Sequence, residues 1–141
     1  MDCKYSVLIL GHSFVRRFHE FLNRGWDNLT EVDLNLCSVD ISYLGIDGTT
    51  VDTLIALYLA KAEALRPGIT TFEIGFNDLC ALGSCLESVG STIENLVSLL
   101  HHQCGAAFVI VCQVIHRKRF SAHCPHYNAN VNTLNKYLRG S

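Results

Sequence analysis

The sequence predicts an α/β domain in which a parallel sheet is layered with helices. Apolar runs of strand length alternate along the chain with segments whose apolar residues recur at helical spacing, the pattern of strands joined by helical crossovers. With 49% hydrophobic side chains in 141 residues, there is material for one real core and no case for disorder.

The first strand spans Tyr5 to Leu10 and ends on Gly11-His12-Ser13. Phe14, Phe18, Phe21 and Leu22 then share one face of a helix. A second strand is expected at about Leu34 to Val39, followed by "LGIDGTT" with Gly45 and Gly48. Val51, Leu54, Ile55, Tyr58, Ala62 and Leu65 mark the second helix. Arg66-Pro67-Gly68 stops it, because proline cannot continue a helix and glycine tolerates a left-handed turn. The third strand is Thr70 to Ile74, running into "IGFNDL". Val89, Ile93, Leu96, Val97 and Leu100 give a third helix, Ala107 to Ile115 the fourth strand, and Val131, Leu134 and Leu138 the last helix. No repeat, linker or low-complexity tract interrupts this, so residues 1–141 read as a single domain.

Composition excludes several functions. A formal charge of -2 gives no field that would recruit nucleic acid or an anionic membrane, and Arg117-Lys118-Arg119 reads as a solvated turn. "MDCKYSVLIL" resembles neither a signal peptide nor a membrane span, so a cytoplasmic setting is expected. Seven cysteines without a C-x-x-C pair then read as reduced thiols. His116, His123, Cys124 and His126 match no standard zinc spacing and read as a polar loop; neither metal nor cofactor is expected.

Right-handed crossovers bring every strand's C-terminal end to one edge. That edge collects Ser13, Gly45, Gly48, Gly75, Asn77, Asp78 and His116. A serine at a strand-to-helix turn lies at the positive end of the helix dipole, which favours a developing oxyanion. A glycine amide and an Asn carboxamide are suitable donors to a tetrahedral oxygen, each typically worth about 2.7–4 kcal/mol. Plainer roles fit the same residues. Ser13 can be a helix N-cap, Gly45 and Gly48 turn glycines with positive φ, Asn77-Asp78 a turn and cap, and His12 a solvent-facing turn residue.

Three segments resemble, in order, the first three blocks of the SGNH hydrolases, also called GDSL-type esterases: "ILGHSF" the nucleophile block, "GIDGTT" the glycine block, "IGFNDL" the G-x-N-D block. The resemblance implies a flavodoxin-like three-layer α/β/α sandwich acting on a small ester through an acyl-enzyme. It makes Ser13 the nucleophile, and the Ser13 amide, Gly48 amide and Asn77 side chain the oxyanion hole. The chain departs from the pattern twice. His12 stands where the family has Asp, and no D-x-x-H, the family's base block, occurs. The resemblance therefore implies a domain lacking its last strand and helix, with weak or absent hydrolysis and His116 as a candidate substitute base. The alternative is a catalytically silent SGNH-like module for binding or assembly. A nucleotide-binding reading fails because "GHSFVRRF" lacks a phosphate loop. Without a fifth strand, the run from Ala106 to Ile115 would form an exposed edge, where self-association is expected.

Overall fold

A computed structural model describes residues 5–24, 39–80, 85–118 and 123–140. Four parallel strands, β1 (Tyr5–Gly11), β2 (Val39–Gly45), β3 (Ile69–Glu73) and β4 (Phe108–Val111), form one sheet in the order β2-β1-β3-β4. The helices are α1 (Ser13–Asn23), α2 (Val51–Leu65), the short α3 (Phe76–Cys80), α4 (Leu86–His102) and α5 (Tyr127–Gly140).

Alternation along the strands decides which face is buried. Leu8 and Leu10 of β1 stand beside Thr70 and Phe72 of β3, which pair in turn with Val109 and Val111 of β4. That face packs on Val51 and Leu54 of α2, Ile93, Leu96 and Leu100 of α4, and Val131 and Leu134 of α5, making one continuous core.

The opposite face is covered only in part. Among the described residues α1 alone lies on it, over β1 and β2. Phe14, Phe18 and Phe21, expected on a buried face, are exposed, and Val15 is the buried residue of α1. Among the described residues no further helix packs over them. A groove of about 380 Å³ opens beside α1, lined by Phe14, Phe18, Ile9, Thr71 and Ile115 among others. At its far side the unpaired edge of β4 exposes Phe108 and Ile110.

Several boundaries depart from the sequence reading. The second strand begins at Val39, where it was expected to end; residues 34–38 lie outside the described residues. Its position is set by pairing with β1 over seven residues, from Tyr5 with Val39 to Gly11 with Gly45. The helix α3 occupies a segment read as loop. Arg66, rather than Gly68, takes the left-handed conformation that ends α2, at φ 46°.

The fourth strand, expected to run to Ile115, stops at Val111. The Cys112 amide still donates to the Phe72 carbonyl of β3 at 2.9 Å, and from Val114 on side chains of α5 take over. The Asn135 carboxamide accepts from the Val114 amide at 2.9 Å and donates to its carbonyl at 3.0 Å. Asn128 does the same for Arg117, at 2.8 and 2.9 Å. Between them Asn132 meets the His116 ring at 2.6 Å. Positions 128, 132 and 135 share one helix face, so α5 clamps the whole 114–117 segment and fixes the directions of His116 and Arg117.

Candidate functional site

The segments "ILGHSF", "GIDGTT" and "IGFNDL" meet at the C-terminal edge of the sheet. The Ile46 amide donates to the Gly11 carbonyl at 3.0 Å, joining the β2–α2 loop to the end of β1. Asn77 donates through its carboxamide to the Thr49 carbonyl at 2.9 Å, and the Asp78 carboxylate accepts from the Val51 amide at 3.0 Å. These two bonds tie the β3–α3 turn to the start of α2. Burial pushes the Asp78 carboxyl above the usual carboxylate range and nearby Asp52 acts the same way, against the bonds it accepts from the Val51 amide and its own.

Ser13 is the first residue of α1, and His12 is its N-cap. The Ser13 hydroxyl accepts from Arg17 one turn along, at 3.3 Å. Gly48 has φ +66°, and a Cβ placed on it would meet nothing within 4 Å, so its backbone faces open space. Asn77 uses one N–H on Thr49 and retains a second. Neither the Ser13 amide nor the Gly48 amide donates a backbone bond among the described residues.

His12 is not the solvent-facing residue that was expected: it is 9% exposed. Its Nδ1 accepts from the Phe14 amide at 3.2 Å, which requires a lone pair there and leaves the ring proton on Nε2. That nitrogen lies 2.6 Å from Oε2 of Glu73, also buried, at the end of β3. The contact is close without the alignment of a hydrogen bond, and neither atom has another partner among the described residues. This close contact between Nε2 and the Glu73 carboxylate joins the serine-bearing turn to β3. Sequence reasoning missed Glu73, since a lone acid within "TTFEIGF" carries no signal until its neighbour across the sheet is known.

Gly45 also has a different role. Its φ is not positive; a Cβ there would strike the Arg16 amide and lie 2.7 Å from the Arg16 Cα. Glycine is required because the backbone of α1 passes directly over it.

His116 is tied to Asn132 through Nε2, and among the described residues no histidine is bonded to the Ser13 hydroxyl. The tail does not gather as a metal site: no three His, Cys, Asp or Glu side chains cluster among the described residues. Cys124 instead packs against Cys80, whose thiol is pushed up to about 11, mainly by burial and then by its hydrogen bond with Cys124. Cys80, Cys85, Cys104, Cys112 and Cys124 are all free thiols. No described helix is long and apolar enough to cross a membrane.

No protein-family model matches the chain, and no curated protein matches it in sequence. Solved structures do. The fold is similar to that of the acetyl xylan esterase AlAXEase, with TM-score 0.75 and 16% identity over 96% of this chain and 71% of that one. It is similar to LAE5, an alpha/beta hydrolase enzyme from the metagenome of Lake Arreo, Spain, with TM-score 0.72 and 16% identity over 99% of this chain and 73% of that one. A GDSL-like lipase from Bacteroides thetaiotaomicron gives TM-score 0.71 and 16% identity, covering 96% of this chain and 62% of the lipase. At such identity the likeness is one of fold: a parallel-sheet α/β/α sandwich of the kind these hydrolases share, of which this chain spans between about three fifths and three quarters.

Proposed function

We propose that this chain is an SGNH-type serine ester hydrolase domain acting on a small acyl or acetyl ester through Ser13. The observation that carries this reading is the junction of three loops at one sheet edge, with Ile46 bonded to Gly11 and Asn77 bonded to Thr49. Ser13 Oγ attacks the ester carbonyl carbon, and the carbonyl oxygen takes up the electron pair. That oxyanion is received by the Ser13 amide, the Gly48 amide and the remaining N–H of Asn77. Collapse expels the alcohol, whose oxygen takes up the proton that the serine releases, relayed by solvent water, and leaves an acyl-serine, which a second water hydrolyses to the acid and free Ser13.

The weak step is removal of the serine proton. Arg17, donating to the hydroxyl, favours its ionised form but has no lone pair to accept a proton. Both nitrogens of His12 are engaged, and Nε2 of His116 faces Asn132. Slow hydrolysis is therefore the expected behaviour, since an oxyanion hole and binding alone sustain about 10³–10⁴-fold catalysis in a serine hydrolase stripped of its triad. With p-nitrophenyl acetate, Ser13→Ala should abolish this turnover and His116→Ala should leave it. Fast turnover lost on His116→Ala would establish His116 as the base. Absence of both turnover and Ser13 labelling by a fluorophosphonate, in a folded chain, would favour the silent binding module.

We also assign the β4 edge to a second copy of the chain. Phe108 and Ile110 are exposed there, and no proline or charge interrupts Ala106 to Ile115. Light scattering over a concentration series should show mass rising above 15.7 kDa; a monomer at every concentration would remove the assignment.

A further inference from the structure

From the placement of Arg117 we infer that the site takes an ester carrying a second, anionic group, a carboxylate or phosphate, which the Arg117 guanidinium receives. The inference rests on the hydrolase reading above for the position of the scissile bond, and extends it to the substrate's charge.

The guanidinium lies 4.1 Å from the centre of the Phe76 ring and 5.0 Å from that of Tyr127. Phe76 directly precedes Asn77, and its ring packs on His12 at 5.7 Å, beside Ser13. The cation is thus joined through the Phe76 ring to His12, the residue before the proposed nucleophile, and Phe76 itself precedes the proposed oxyanion donor Asn77. The Arg117 backbone is equally fixed, held at both N–H and C=O by Asn128. A side chain anchored this way has already lost much of the freedom that ligand binding would otherwise remove.

The charge is not used within the described structure. The ion pairs there join His12 with Glu73 and Arg16 with Glu20 and Asp47, and none includes Arg117. Carboxylates at this edge are engaged elsewhere, Glu73 with His12, Asp78 with the Val51 amide and Asp47 with Arg16. Tyr127, whose phenol is pushed up to about 12, chiefly by burial, donates its proton to the Ile115 carbonyl and brings no negative charge. Cys80, raised by burial, is likewise a neutral thiol. Contact with the two rings gives the guanidinium no acceptor for its N–H donors, whose fork matches the spacing of oxyacid oxygens.

Binding is read on Ser13→Ala, so that turnover does not intervene, by titrating monomethyl succinate and its neutral analogue dimethyl succinate and following backbone amide shifts. The anionic ester should bind about ten- to a hundredfold more tightly, the range expected of a charge-assisted contact. The preference should vanish in Arg117→Gln, survive in part in Arg117→Lys, and shrink with added salt in a chain whose Arg117 is intact. Equal binding of the two esters, or a preference unchanged by Arg117→Gln or by salt, overturns the inference. Monomethyl phosphate, titrated alongside, separates a carboxylate from a phosphate preference. Loss of the hydrolase reading has its own signature, ester turnover unaffected by Ser13→Ala, and leaves these binding results to stand or fall alone.

Discussion

Replacing His12 by alanine is expected to destabilise the fold by about 2–4 kcal/mol, because it leaves the buried Glu73 side chain without its close N–H neighbour and removes the N-cap of α1. Two losses combine. Glu73, buried at the end of β3, would keep its charge without the nitrogen now 2.6 Å away. The Phe14 amide, in the first turn of α1, would lose its acceptor, which alone typically costs about 1 kcal/mol. Against a total stability of about 5–15 kcal/mol for a domain of this kind, the effect is large enough to read from a urea midpoint.

Glu73→Gln should be milder, about 1 kcal/mol, since its amide oxygen can keep the same close contact with Nε2–H, though without charge. His12→Asp gives a less obvious result. It restores the residue that the nucleophile-block resemblance would suggest, yet sets a second carboxylate beside Glu73, where like charges repel. It should therefore destabilise, and combining it with Glu73→Gln should recover part of the loss. If His12→Ala and Glu73→Ala added to within about 0.5 kcal/mol in the double variant, the two residues would be independent and the lock would not exist.

This pair marks the limit of what the sequence could reveal. Strand and helix order, the three loops at one edge and the core on Leu8, Leu10, Phe72, Ile93 and Leu96 were legible because each follows from local periodicity and from the rule that parallel crossovers share an edge. The strand at Val39 to Gly45 was not read from the sequence, and its position follows from pairing with β1; the stretch expected as strand before it lies outside the described residues. Asn128, Asn132 and Asn135 carried no signal in the sequence beside Val131, Leu134 and Leu138 of the last helix. They are the partners of a segment that leaves the sheet early, a role set by what lies opposite rather than by the residues themselves. The phenylalanines of α1 misled for the converse reason: apolar spacing predicts a face but does not say that anything covers it.

Gly45 offers the sharpest test of how the nucleophile turn is seated. In Gly45→Ala the new methyl would meet the Arg16 amide, with the Arg16 Cα at 2.7 Å and its Cβ at 2.9 Å. Two of these atoms belong to the helix backbone, so no rotamer change relieves the contact; α1 as a whole must lift from β2. Overfilling of a packed site usually costs about 1–3 kcal/mol, and a contact against backbone belongs at the upper end. Arg16 also holds Asp47 of the glycine loop at 2.6 Å, so lifting the helix would strain that tie as well. Because Ser13 opens the same helix, the displacement should reach the candidate nucleophile, and Ser13 labelling should fall together with stability. Gly48→Ala separates this from a general intolerance of side chains in the loop. Its methyl would enter open space and carry only the strain of φ +66°, about 1 kcal/mol. Urea unfolding of the two variants should therefore rank Gly45→Ala well below Gly48→Ala. A Gly45→Ala chain as stable as the parent would mean that α1 does not rest on β2 as closely as the packing of Arg16 over Gly45 requires.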